Sequence, residues 1–169
     1  MVAAAWGWFS WDAYWQSDDF LALHYTQSWK NTLSDFWGSQ YGLPAVVHFY
    51  RPLITLSWAL DGLSGSAPID PLVSHLHNAV VHGLNATLVA VIVNRLMNRG
   101  ASAAYLAGLV WGLSPAHAGA VAWAAGRTGL YATFFMLLSV WFMLRWLDGK
   151  HRTRMLSLVR RFQWNRPFK

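Results

Sequence analysis

The sequence contains no cysteine. That excludes a disulfide framework, a thiolate nucleophile and any cysteine-based metal centre. Charge is also scarce: only 12% of the 169 residues are Asp, Glu, Lys or Arg, whereas 55% are hydrophobic. Mean hydropathy is +0.25. This balance favours a single polytopic helical membrane unit over a soluble domain. No basic residue precedes Lys30. The apolar run inside residues 1–16, about eleven residues long, therefore lacks the charged start of a secretory signal and is too short to span a bilayer. It is expected to be an interfacial amphipathic segment. No His-x3-His pair occurs, so no metal site is expected.

Acidic residues run out along the chain. Residues 1–78 hold two basic and six acidic side chains, a net −4, whereas residues 79–169 hold eleven basic ones against Asp148 alone, a net +10. The positive-inside rule accounts for this split without invoking nucleic acid. It puts Arg95, Arg99 and the C-terminal tail in the cytoplasm. Asp18, Asp19, Arg51, His75, His117 and Arg127 then face outside, with the N-terminus out and the C-terminus in. The expected location is an integral membrane position, the cytoplasmic membrane of a bacterium.

What the chain has in abundance is apolar length. Residues 74–94, 102–122 and 128–147 are each about long enough to cross a hydrocarbon layer roughly 30 Å thick. Residues 43–63 are also apolar but carry Arg51-Pro52 in the middle. A helix starting near Pro52, interfacial or oblique, is expected there, with a fourth span as the alternative. The fold class is all-α integral membrane, with about three transmembrane helices, or four, plus interfacial helices. The expected divisions are a Trp-rich extracytoplasmic or interfacial segment (1–71), a transmembrane bundle (72–147) and a basic cytoplasmic amphipathic tail (148–169). The tail suits anionic lipid. Of twelve Trp, Trp6, Trp8, Trp11, Trp15, Trp29 and Trp37 precede the first clear span. They are expected at a membrane–water boundary.

Several polar residues invite a chemical reading. His75, Asn78, His82 and Asn85 recur at helical spacing and form one stripe, which is expected to face protein and hydrogen-bond between helices. His77 points elsewhere. Ser114-Pro115 is expected to end or kink the second span. Ser17 or Asp18 is expected to cap a helix through Phe20–Leu23. Arg127, at the outer interface, is expected to meet a lipid phosphate, a partner carboxylate or a helix-end carbonyl.

Taken in order, Asp18-Asp19, Tyr50-Arg51-Pro52-Leu53, His75-Leu76-His77-Asn78 with His82, Pro115-Ala116-His117, Ala120-Val121-Ala122-Trp123 and Gly126-Arg127 are similar to the N-terminal part of the GT-C membrane glycosyltransferases. The tetratricopeptide-repeat O-mannosyltransferase relatives have the most similar pattern. The resemblance covers about residues 18–147. It implies a lipid-phosphate sugar donor and a catalytic acid at Asp18 or Asp19; Arg51 and Arg127 are expected to bind a lipid phosphate or a partner. The chain departs from the pattern at Ser114 (His in the family), Gly119 (Glu) and Gly129 (Asp).

Three function classes follow. The leading expectation is a non-catalytic accessory or structural subunit of a larger membrane complex, built on a truncated GT-C-like core. It would contact other membrane subunits and lipid, with a photosynthetic or respiratory assembly as a conceivable host. The alternative is a GT-C glycosyltransferase fragment or split enzyme. The third is a pigment- or quinone-binding subunit using His75, His82 or His117. No cofactor and no metal are expected; lipid is the candidate small ligand.

Overall fold

The computed structural model describes residues 1–44, 49–64, 69–97 and 100–148. Beyond Asp148, the expected basic tail falls outside the described residues, as does Arg99. Among the described residues all regular structure is helical. Eight α-helices are present: α1 (Val2–Phe9), α2 (Asp19–Tyr25), α3 (Trp29–Ser34), α4 (Pro52–Asp61), α5 (Pro71–Met97), α6 (Ala101–Gly112), α7 (Ala118–Ala122) and α8 (Arg127–Asp148). Short 3-10 turns join several of them.

Among the described residues two stretches are long and apolar enough to cross a membrane: Pro71–Met97 and Ala124–Leu147. The second expected span, residues 102–122, is not a continuous helix and breaks at Ser114-Pro115 as expected. α6 has 12 residues, about 18 Å at 1.5 Å per residue, well short of the bilayer core. It stops at Gly112; Ser114 is extended and Pro115 starts a 3-10 turn. Proline disfavours helical geometry in the residue before it, which explains the break. α7 and a second turn, Ala124–Gly126, then lead into α8.

Local chemistry sets the starts. Pro52 and Pro71 occupy the first positions of α4 and α5, where a missing N–H costs nothing. Asp70 caps α5 by accepting the Leu72 N–H at 2.9 Å. Gly100, at φ +93°, takes the left-handed turn into α6 that a side chain would resist.

The long helices pack around α5. α1 and α6 run antiparallel to it: Ala3 lies against Gly83, and Gly108 against Ala86 and Ala90. α8 runs parallel to it, with the Asn85 amide donating to the Leu130 carbonyl at 2.9 Å. The position of α1 corrects the surface reading of the N-terminal aromatics. Trp6 and Trp15 are buried, whereas Trp8, Trp11, Trp29 and Trp37 are exposed. Trp6 belongs to the core cluster of Val2, Ala79, Val81, Ala86, Val121 and Leu130. Its indole N–H donates to the Gly112 carbonyl at 2.7 Å. That bond satisfies one of the carbonyls orphaned where α6 ends.

Of the most apolar stretch of each membrane-length helix, 39% is buried for Pro71–Met97 but only 6% for Ala124–Leu147. α5 is therefore the bundle axis. α8 leaves Phe135, Met136, Phe142, Met143 and Trp146 exposed.

Glycine substitutions separate close packing from open space. A Cβ at Gly108 would stand 2.7 Å from the Ala86 carbonyl oxygen, whereas at Gly119 nothing lies within 4 Å. Gly108→Ala is expected to destabilise the bundle by about 1–3 kcal/mol through overpacking. Gly119→Ala is expected to leave it unchanged or stabilise it by up to ~1 kcal/mol. Melting curves in one mild detergent check both.

Candidate functional site

The polar stripe lies inside the bundle. His75, Asn78, His82 and Asn85 are all at 0% exposure. Asn78 aims its amide at the carbonyls of Val121 (3.4 Å), Trp123 (3.0 Å) and Ala124 (3.2 Å). These are the end of α7 and the start of the next turn, so one side chain holds the non-helical link between α7 and α8. His82 Nε2 donates to the Gly112 carbonyl at 2.8 Å. His117 packs its ring against Trp111 and His82, at 4.4 and 4.9 Å between centroids. His75 stacks its ring on Trp15, 6.3 Å between centroids, with the Ala13 backbone as its polar contact.

Arg127 is enclosed by its own chain rather than open to lipid. It is at 0% exposure. Its Nη2 donates to Asp61 Oδ2 at 2.7 Å, its Nη1 to Ser57 Oγ at 3.2 Å and its Nε to the Ala124 carbonyl at 3.1 Å. The guanidinium also lies over the Trp58 ring, 4.0 Å from its centroid. Every face of the cation is taken by protein, so no lipid phosphate reaches it. A helix-end carbonyl is among its partners. The carboxylate comes from this chain, at a position the sequence reading had not marked.

Asp61 is the residue that reading missed. It also accepts from Ser74 Oγ and meets His77 Nδ1, while His77 Nε2 contacts the Tyr131 hydroxyl at 2.7 Å. The set ties α4, α5 and α8 together. Burial alone would raise the Asp61 carboxyl. The His77 hydrogen bond and the Arg127 charge outweigh it, and the group sits below the ordinary carboxylate value. The one available signal was helical phase: His77 falls off the stripe of His75 and Asn78 and needs its own partner.

The acidic pair divides its work. Asp19 is buried. Its oxygens accept the Gln16 N–H and the Ala125 N–H, both at 2.8 Å, stitching the N-terminal loop to the turn before α8. Burial pushes its carboxyl above the ordinary value despite those two donors. Asp18 is exposed and takes only a 3.2 Å contact from Ser17 Oγ. It stands at the N-cap of α2 but makes no side-chain capping bond, contrary to the expected cap.

Asp18 lines a cleft of about 510 Å³, whose other walls include Gln40, Tyr41, Phe49, Arg51, Trp58, Trp123, Thr128 and Gly129. Arg51 sits over the Phe49 ring, 4.1 Å from its centroid. Among the described residues neither Asp18 nor Arg51 has an ion-pair partner. The cleft thus presents a carboxylate and a guanidinium between aromatic walls, and the structure brings together Asp18 and Arg51 while Arg127 stands behind Trp58. Among the described residues no cluster of three or more His, Cys, Asp or Glu is suited to a metal. A second groove, about 450 Å³ between α1, α5 and α6, is apolar apart from Thr87 and Tyr105.

Comparison with known proteins gives a relationship of glycosyltransferase type. Protein O-mannosyl-transferase TMTC2 of Homo sapiens is 34% identical over 107 residues, 63% of this chain and 12% of the relative. Tmtc2 of Drosophila melanogaster is 34% identical over 134 residues, 77% of this chain and 14% of the relative. TMTC1 of Mus musculus is 28% identical over 121 residues, 71% of this chain and 12% of the relative. The chain thus spans about an eighth of the length of the curated relatives it matches. No family profile matches it, and no solved structure does.

Asp61→Asn leaves Arg127 buried without its counter-charge and is expected to cost about 3–5 kcal/mol. The pH dependence carries a sign. Because the folded-state value of Asp61 is depressed, its contribution is fully present above the unfolded carboxylate value near ~3.9 and is lost as pH falls through the folded value. Asp19, with a raised value, works the other way: stability falls as pH rises from the ordinary value through the raised one. Denaturant unfolding across pH 2–6 (about that range) is expected to lose its acid-side decline in Asp61→Asn.

Proposed function

We propose that this chain forms the extracytoplasmic donor cleft of an integral membrane glycosyltransferase that uses a sugar carried on a lipid phosphate. The observation that carries this reading is that exposed Asp18 and half-buried Arg51 line one aromatic-walled cleft, neither having an ion-pair partner among the described residues. Aromatic faces suit the C–H surfaces of a sugar ring. A guanidinium suits a phosphate by bidentate donation. A free carboxylate suits proton removal from an attacking hydroxyl.

The reaction runs as a displacement at the anomeric carbon. Asp18 accepts the proton of the acceptor hydroxyl as its oxygen bonds to that carbon. The bond to the phosphate oxygen breaks, and Arg51 stabilises the charge left on the departing lipid phosphate. Asp19 and Arg127 are positioning residues: the first fixes the loop that carries Asp18, and the second backs the wall formed by Trp58. The orientation follows the charge split, with Asp18 outside and Arg95 inside. Further membrane helices are required over the exposed face of α8 to enclose donor and acceptor. The relatives' printed name, O-mannosyl-transferase, makes mannose the first sugar to try.

The competing reading, a non-catalytic subunit of a membrane complex, draws on that same exposed face of α8. One substitution separates the two. Asp18→Asn is nearly isosteric, and Asp18 is exposed, so assembly and melting are expected to stay as in the unaltered protein. Transfer of mannose from polyprenyl phosphomannose in membranes holding the full assembly is expected to fall by about 10²–10⁴-fold, the range for loss of a general base. Unchanged transfer with intact assembly would overturn the transferase reading in favour of the accessory one.

A further inference from the structure

The turn Gln40–Gly42 contributes Gln40 and Tyr41 to the cleft. Tyr41 sits at φ +57°, ψ 24°, and Gly42 follows at φ +62°. Glycine adopts this left-handed conformation freely; a tyrosine with its Cβ does not. The strain is held in place by Asp35, which is 1% exposed. Asp35 Oδ2 accepts the Tyr41 N–H at 3.1 Å and the Thr55 hydroxyl at 2.6 Å, while its Oδ1 accepts the Tyr25 hydroxyl at 2.8 Å. Three separate segments thus converge on one buried carboxylate, and the result is a tyrosine ring set against the cleft. Strained non-glycine residues of this kind persist where the surrounding structure over-determines them, and they cluster at ligand sites.

The surroundings of the phenol select its partner. The ring packs against the cluster of Trp15, Ala22, Ile54, Trp58 and Ala124 and meets Tyr25 edge-on at 5.6 Å. Burial pushes the phenol up to about 12; the Arg127 charge, a hydrogen bond with the Gln40 side chain and, more weakly, Arg51 act in the opposite sense, while Asp35 acts with burial. The hydroxyl therefore keeps its hydrogen at neutral pH, and Arg51, which lines the same cleft, draws an anionic acceptor toward it. Arg127 is consumed by Asp61, Ser57 and Ala124; Arg51 is not.

We propose that Tyr41 is a ligand-binding residue of the cleft, its phenol O–H donating to a phosphate oxygen of a phosphorylated sugar beside Arg51. This rests on the glycosyltransferase reading of the cleft and adds to it a residue and a contact.

The test uses the full assembly in lipid nanodiscs and three probes: mannose 1-phosphate, inorganic phosphate and methyl mannoside, each titrated calorimetrically. Tyr41→Phe keeps the ring and removes only the hydroxyl. It is expected to melt as the unaltered protein does and to bind mannose 1-phosphate roughly tenfold more weakly or worse, as for a lost hydrogen bond to a charged group. Binding of inorganic phosphate is expected to weaken in parallel and that of methyl mannoside to stay the same. Tyr41→Asn, a residue suited to the left-handed turn, is expected to keep the fold and show the same loss. Mannose 1-phosphate binding by Tyr41→Phe equal to that of the unaltered protein would overturn the assignment of Tyr41 while leaving the cleft's function standing. A Tyr41→Phe protein that melts far lower would show a structural hydroxyl and overturn it too. Failure of the unaltered protein to bind mannose 1-phosphate would sink the cleft reading, and this assignment with it.

Discussion

The ion pair between Arg127 and Asp61, 2.7 Å apart and out of reach of solvent, is the constraint on which the packing of α4 against α5 and α8 depends. A buried cation without a counter-charge is costly. α4 and the start of α8 are therefore bound to each other wherever else they pack. The pair also fixes Trp58, whose ring lies against the guanidinium, and through His77 and Tyr131 it reaches α5 and the second turn of α8. An apolar core would hold these helices together less specifically, because apolar contacts are not directional. Charge and hydrogen-bond geometry set the angle at which α4 meets α8, and that angle leaves the cleft open between them.

A different device holds the rest of the bundle. Lipid tails are as apolar as leucine, so membrane helices gain little by burying leucine against one another; small residues and hydrogen bonds to backbone carbonyls do the work instead. α5 supplies both. Its alanines and Gly83 admit α1 and α6 at close range, while Asn78, His82 and Asn85 donate to carbonyls where neighbouring helices begin or end. The chain between Gly112 and Arg127 is broken into short turns. Irregular backbone of that kind is tolerated at membrane depth only where protein satisfies its carbonyls. The polar stripe of α5 satisfies several of them.

The cleft combines opposite roles in adjacent residues. Asp19 is an internal stitch and Asp18 a free carboxylate, one position apart. Asp35, which drew no attention as an isolated acid, forces Tyr41 into a strained turn at the cleft wall. Gly119 and Gly129, where the O-mannosyltransferase pattern has acids, both have open space around the missing Cβ. Neither glycine is there to relieve crowding.

Periodicity and composition made the helical class legible, because an apolar stripe recurs at helical spacing whatever it packs against. The stripe of His75, Asn78, His82 and Asn85, the start of α4 at Pro52 and the break at Ser114-Pro115 were all readable, since each is a local rule about phase or proline. The sequence alone also determined that Asp18 and Arg51 stood out as charges in an apolar chain. Only the tertiary structure decided which charges meet. Arg127 and Asp61 are 66 residues apart, and no local pattern records a partner at that distance. The same holds for the burial of Trp6 and Trp15 and for the strain at Tyr41. Each is imposed by groups brought together from distant parts of the chain: Gly112 for Trp6, His75 and Trp58 for Trp15, and Asp35 with Thr55 for Tyr41. Local rules fix which way a residue faces on its own helix, and the packing of helices fixes what it faces.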